Sequence, residues 1–332
     1  MDHAQGGLAS ANGADLDPDV RRFIRGMADS VARFPQFDRA PFPQMRQWAE
    51  QARAPWRQGG PAMLESRDLE APTRHGLVRL RIHRPTKGEL PGLVYLHGGG
   101  WTLFSIDTHD RVMREYAARA GCCVIGVDYA LSPEHKFPVA LEQVVDVVRW
   151  LAEEGAALGI DPRRLAIGGD SAGANLSVAA ALVLQELRST PPLLGLLLNY
   201  GAFSTRCSAE ACARYGGPEY MLGCEEMSQY WRNYLRTDAD AQNPLACPLL
   251  ASLRGLPPAF LASAQCDILG EQSVQMAARL RAAGVPAQGV VYPGASHSFL
   301  EAMSIAEVSN RALKEGSEWL GKALERTAGA AA

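Results

Sequence analysis

No run of about 18 apolar residues occurs in this 332-residue chain, so nothing in it reads as a membrane-spanning helix. The first eighteen residues, MDHAQGGLASANGADLDP, lack a basic leader and an apolar stretch. They do not read as an export signal, and a cytoplasmic location is the default expectation. Basic blocks are missing too: 33 Lys and Arg against 36 Asp and Glu leave a net charge of −3, which calls for neither nucleic acid nor an anionic membrane as partner. None of the seven cysteines (122, 123, 207, 212, 224, 247, 266) stands in a C-x-x-C pair, and their number is odd. That argues against a zinc site and a disulfide framework, and predicts small buried hydrophobes instead. No G-K-[ST] occurs for a phosphate loop.

What is present is an ordinary globular composition, 47% hydrophobic and 21% charged, organised around Arg164 to Leu176, RLAIGGDSAGANL. A short apolar run, Leu165 to Ile167, meets two glycines and then Asp170-Ser171-Ala172-Gly173. An alanine-rich run to Leu187 follows and reads as a helix. Gly169 and Gly173 flank Ser171 in G-x-S-x-G spacing, where small neighbours let the backbone reverse sharply and present a serine at a strand end. The following helix aims its N-terminus where negative charge would develop. The plain alternative is a serine that only caps a helix.

Along the chain, residues 1 to about 17 read as disordered. Helical spacing of Phe23, Ile24, Met27, Val31 and Phe34 follows, ended by Pro35, and a second helix is predicted from Pro43 to about Arg53. From about Leu69 to Arg84 the alternation predicts a strand pair, and Gly92 to Leu96 a short buried strand. That strand runs into His97-Gly98-Gly99-Gly100-Trp101, where bare glycines leave backbone N–H groups open to a ligand oxygen. The loop does not match the dinucleotide-binding spacing G-x-G-x-x-G. A helix over Asp107 to Gly121, a strand over Cys122 to Val127, a helix from Pro138, the central strand and helix, and a strand over Leu194 to Asn199 continue the alternation. This βαβαβ order predicts a mostly parallel sheet with helices on both faces. Residues 203–248 break the pattern and are rich in aromatics and methionine. With the two N-terminal helices they are expected to form a helical cap over the serine. Alternation resumes with a strand over Ala259 to Ala264, a helix from about Gln272 to Ala283, a strand over Gln288 to Tyr292 and a last helix from Ile305. The division expected is therefore 1–60 as N-terminal helices and part of the cap, 61–202 and 249–332 as the two parts of the α/β core, and 203–248 as the cap insertion.

A serine hydroxyl needs a base, the base an orienting acid, and the reaction donors for an oxyanion. His297, the one histidine of seven past residue 135, follows a strand end through Pro293-Gly294-Ala295-Ser296. Asp267 follows the strand before it, and strand carboxyl ends converge on one crevice in a parallel sheet. Asp238 and Asp240 are poorer acids, since they lie inside the irregular insertion. The order Ser171, Asp267, His297 is that of an α/β-hydrolase. The N–H of Ala172 with those of Gly98 and Gly99 would form the oxyanion hole.

His97-Gly98-Gly99-Gly100, Gly169-Asp170-Ser171-Ala172-Gly173 and Asp128-Tyr129-Ala130-Leu131-Ser132-Pro133-Glu134-His135-Lys136-Phe137-Pro138 resemble the hormone-sensitive-lipase family of α/β-hydrolase esterases. Ile106 to Arg111 and Tyr292-Pro293-Gly294 with His297 are most similar to its bacterial acetyl esterases, over roughly residues 90 to 320. The resemblance implies hydrolysis of short-chain acyl esters through an acyl-enzyme, without metal or cofactor. Its nucleophile, acid and base fall on Ser171, Asp267 and His297, its oxyanion donors on Gly98, Gly99 and Ala172, and His97 is structural. Around the acid the family commonly reads Asp-Pro-Leu, whereas this chain reads Asp267-Ile268-Leu269-Gly270. A small-molecule ester is the implied partner. Members of such families often pair, which leaves a homodimer open. Two other readings share the fold: an amidase or peptidase with the same triad, and a non-catalytic small-molecule receptor.

Overall fold

The computed structural model describes residues 15–34, 36–188 and 191–325. The disorder read for the N-terminus falls mostly outside them, as does the stop assigned to Pro35. Helix α1 (Pro18–Val31) closes before that proline; Asp17 caps its start by accepting from the N–H groups of Asp19 and Val20. Helix α2 (Phe42–Arg53) follows.

Among the described residues, eight strands form one sheet in the order β1-β2-β4-β3-β5-β6-β7-β8. The hairpin β1 (Glu65–Thr73) and β2 (Gly76–Arg84) is antiparallel, and β2 runs antiparallel to β4 (Cys123–Val127). The remaining strands, β3 (Leu90–Leu96), β5 (Ile160–Asp170), β6 (Leu196–Asn199), β7 (Ala259–Cys266) and β8 (Ala287–Ser296), pair in parallel with their neighbours. Strand β2 keeps the alternation its sequence predicts, with Val78, Leu80 and Ile82 buried and Leu77 64% exposed. Strand β4, antiparallel to β2 on one side and parallel to β3 on the other, is buried throughout, as its unbroken apolar run requires of a strand covered on both faces.

Helices α3 (Asp110–Ala120), α4 (Val139–Glu154), α5 (Ala172–Leu187), α8 (Gly270–Ala282) and α9 (Glu307–Leu324) connect or follow these strands. From β3 the chain steps one way along the sheet to β4, then back across to β5. Right-handed crossovers therefore put α3 and α4 on opposite faces. Helix α9 joins α3's side: a Cβ on Gly316 would lie 3.4 Å from Leu197 and 3.6 Å from Tyr116. The reversal of direction at β3 opens a crevice at the carboxyl ends of β3 and β5.

Residues 203–248 contain two helices, α6 (Ala209–Tyr215), which the sequence pattern does not predict, and α7 (Cys224–Tyr234). Here one expectation fails. Cys212 and Cys224 form a disulfide with Cα atoms 6.0 Å apart, while the other five cysteines are free, and Cys207 is only half-buried. The reason is topological: eight irregular residues, 216–223, return the chain so that the end of α6 meets the start of α7. A spacing of twelve residues through an unpredicted helix carries no signal of that.

Candidate active site

Strand β5 and helix α5 meet at Ser171, whose φ of 54° is rare for a residue with a side chain. Holding it there costs on the order of 1–3 kcal/mol, which the surrounding contacts must offset. The flanking glycines show how tight the turn is. A Cβ on Gly169 would stand 2.1 Å from the Leu96 carbonyl oxygen, and one on Gly173 only 1.8 Å from the same atom. The backbone of the turn is pressed on the end of β3, and any side chain there would push the two apart. Ser171 N–H donates to Asn199 O at 2.9 Å, which locks the turn to β6 as well.

His297, beyond β8, brings Nε2 to 2.9 Å from Ser171 Oγ, and its Nδ1 lies 2.8 Å from Asp267 Oδ2. With the carboxylate accepting from Nδ1–H, Nε2 is left as the acceptor facing the serine hydroxyl. Asp267, His297 and Ser171 are buried, at 3%, 5% and 6% exposure. The departure at Ile268 leaves the acid in position: Asp267 Oδ1 accepts from Leu269 N–H at 2.9 Å, and α8 starts at Gly270. Asp240 is engaged elsewhere, with Arg236 at 2.9 Å.

Both peptides of the glycine loop are clamped by their carbonyls. Tyr129 O–H donates to His97 O at 2.7 Å, and His97 Nδ1 lies 2.7 Å from Gly98 O. In a trans peptide the N–H points opposite to the C=O, so these clamps turn the N–H groups of Gly98 and Gly99 the other way. Ala172, as the first residue of α5, has an N–H with no intrahelical acceptor. Gly99 needs its φ of 115°, and a Cβ there would lie 2.2 Å from Leu103 O. Burial, with the neighbouring His109 ring, pushes the His97 imidazole down to about 3, so it is a neutral strut. Beneath it, the buried Asp170 accepts from Tyr95 O–H at 2.8 Å and lies 3.3 Å from His109 Nε2. Burial alone would raise this carboxyl; the His109 ring and the Tyr95 hydroxyl outweigh it and hold it low.

A cavity of about 550 Å³ opens above Ser171 and His297. Helices α1 and α2, residues 216–223 and α7 wall it, with Gly99, Gly100, Leu103 and Phe104 at its base. Two wall residues were not singled out by the sequence. Arg53, the last residue of α2, is buried against Glu301 and lies 4.3 Å from the centre of the Phe104 ring. Glu226 is exposed to the open cavity, yet the protein around that cavity withholds enough water to push its carboxyl above the usual range. Neither could be read: Arg53 follows an ordinary amphipathic run, and Glu226 looks like a helix-start acid. Among the described residues, no group of three or more His, Cys, Asp or Glu is arranged to hold a metal ion.

The α/β-hydrolase fold family matches residues 93–301 of the chain. An acetyl esterase of Salmonella choleraesuis (strain SC-B67) is 34% identical over 298 residues, covering 87% of this chain and 92% of its own length. A hyperthermophilic esterase from the archaeon Pyrobaculum calidifontis superposes with a TM-score of 0.86 at 33% identity, over 92% of this chain and 98% of that one. A thermostable esterase from Pseudomonas putida ECU1011 gives 0.85 at 27% identity, over 94% and 99% of the two chains. With the motifs, the sheet order and these relatives in agreement, the chain belongs to the α/β-hydrolase fold family, among its hormone-sensitive-lipase-like esterases.

Proposed function

We propose that Ser171 is the nucleophile, His297 the general base and Asp267 the orienting acid of a carboxylic ester hydrolase acting on short-chain, acetyl-type esters. The observation that carries this reading is the unbroken hydrogen-bonded line from Asp267 through His297 to Ser171 Oγ. His297 Nε2 takes the hydroxyl proton as Oγ attacks the ester carbonyl, while Asp267 holds the ring and stabilises the imidazolium. The tetrahedral oxyanion is received by the N–H groups of Gly98, Gly99 and Ala172, each such donor being worth about 10²- to 10³-fold in rate. His297 returns its proton to the departing alcohol. Water, activated by the same imidazole, then releases the acid from the acyl-enzyme.

Helices α1 and α2 together with residues 203–248 act in this reading as a cap that limits the acyl chain to acetyl through butyryl. The test is hydrolysis of 4-nitrophenyl esters from acetyl to dodecanoyl by wild type and Ser171→Ala. Activity peaking at short chains and lost in the variant is expected; a folded protein with no ester activity would overturn the reading. Location and pairing into a homodimer are separate questions from the reaction. The Cys212–Cys224 bridge weighs against a reducing compartment, so thiol trapping during cell fractionation decides that part. Light scattering decides the other.

A further inference from the structure

An acetyl group fills a small part of a 550 Å³ cavity, so most of that space faces the alcohol portion of an ester. The charges in the wall are unequal. Arg53 is neutralised by Glu301. Asp38 and Glu226 have no ion-pair partner among the described residues, so the open cavity carries excess negative charge.

Glu226 is held in place. Its Oε1 accepts from Tyr230 O–H at 2.8 Å. The Tyr230 ring lies on the glycine loop so closely that a Cβ on Gly100 would meet its Cγ at 2.2 Å. The carboxylate is thereby fixed relative to the place where the ester carbonyl is bound. A carboxylate has about four acceptor sites, so this contact leaves others for a ligand.

We propose that Glu226, oriented by Tyr230, is the specificity-determining residue of this cavity, selecting esters whose alcohol carries an ammonium or hydrogen-bond-donating group and rejecting those with an anionic alcohol. The proposal rests on the ester-hydrolase reading above. Tyr230, Asp38, His297 and Arg53 are the titratable groups that face or influence this carboxyl; Asp38 raises it and His297 lowers it. Selectivity for cations therefore grows as pH rises through the Glu226 titration.

The experiment compares kcat/KM for O-acetylcholine, its uncharged isostere 3,3-dimethylbutyl acetate and the anionic 3-acetoxypropanoate, followed by pH-stat, in wild type, Glu226→Gln and Tyr230→Phe. Wild type is expected to favour the cation over the isostere by about tenfold, carried mainly in KM, with the anion poorest. Glu226→Gln brings the cation-to-neutral ratio near one, and Tyr230→Phe lowers it less. Because each ratio is taken within one protein, partial unfolding of a variant does not alter it. A flat ratio in wild type, a preference for the anion driven by Arg53, or an unchanged ratio in Glu226→Gln would each overturn the proposal while neutral-ester turnover preserves the esterase reading. No turnover of any of the three overturns both.

Discussion

The floor and the walls of the cavity are built by different means. On the floor, backbone meets backbone at Gly169 and Gly173, jammed on the Leu96 carbonyl, and at Gly99 on the Leu103 carbonyl, while Gly98 leaves room for the buried Asp170 carboxylate. The walls are held by side chains. Arg46 of α2 donates to Thr102 O and Ser132 O at 2.9 Å each, and Lys136 reaches the carbonyls of Arg232 and Leu235 at the end of α7. Trp101 stacks on Tyr234 at 4.2 Å, and Cys212 is bonded to Cys224. Backbone contacts tolerate no added atom, whereas side-chain anchors can be exchanged for others of similar reach. In the proposed reading the chemistry therefore sits where the fold cannot vary, and substrate choice where it can.

Breaking the floor should have the larger consequences. Ser171→Ala should lower kcat by about 10⁶-fold with melting behaviour retained, measured on 4-nitrophenyl acetate with circular dichroism as control. Asp267→Asn should cost about 10⁴-fold in kcat, since the imidazole is left in the wrong tautomer. Gly173→Ala forces β3 and α5 apart and should cost on the order of 4 kcal/mol in urea unfolding, or leave no soluble protein. In the wall, Cys212→Ser with Cys224→Ser should remove about 3 kcal/mol of stability while turnover of small esters survives. A wall change that abolished turnover as Ser171→Ala does would erase the contrast.

The floor should also show a pH dependence of stability. His97 titrates near 6.5 unfolded and at about 3 folded, so the unfolded chain binds the extra proton between these values. Its contribution is fully present above pH 6.5 and is lost as pH falls, at up to about 1.4 kcal/mol per unit. Urea unfolding from pH 7 to 4 should show a shallower loss for His97→Gln than for wild type; parallel curves would contradict the neutral, buried ring.

The same division explains what the sequence made legible. Glycine spacing at 98–100 and 169–173 encodes steric necessity, so the turn, the loop and Ser171 could be located, and strand ends then pointed to Asp267 and His297. Strand β4 and the alternation of β2 were readable because burial on two faces or one leaves its own apolar pattern. Helix α6 is seven residues long with no apolar stripe to betray it, and the disulfide depended on it. Arg53 and Glu226 were hidden because their roles come from which space they face, and that is set by packing between segments far apart in sequence.

The central claim is that Ser171 forms an acyl-enzyme. A rapid-mixing experiment with 4-nitrophenyl acetate, quenched in acid and followed by peptide mass spectrometry, tests it most directly. A nitrophenolate burst with the acetyl group on the peptide carrying Ser171, absent from Ser171→Ala, is the predicted result. Acetyl on another residue, or turnover by Ser171→Ala close to wild type, would contradict it.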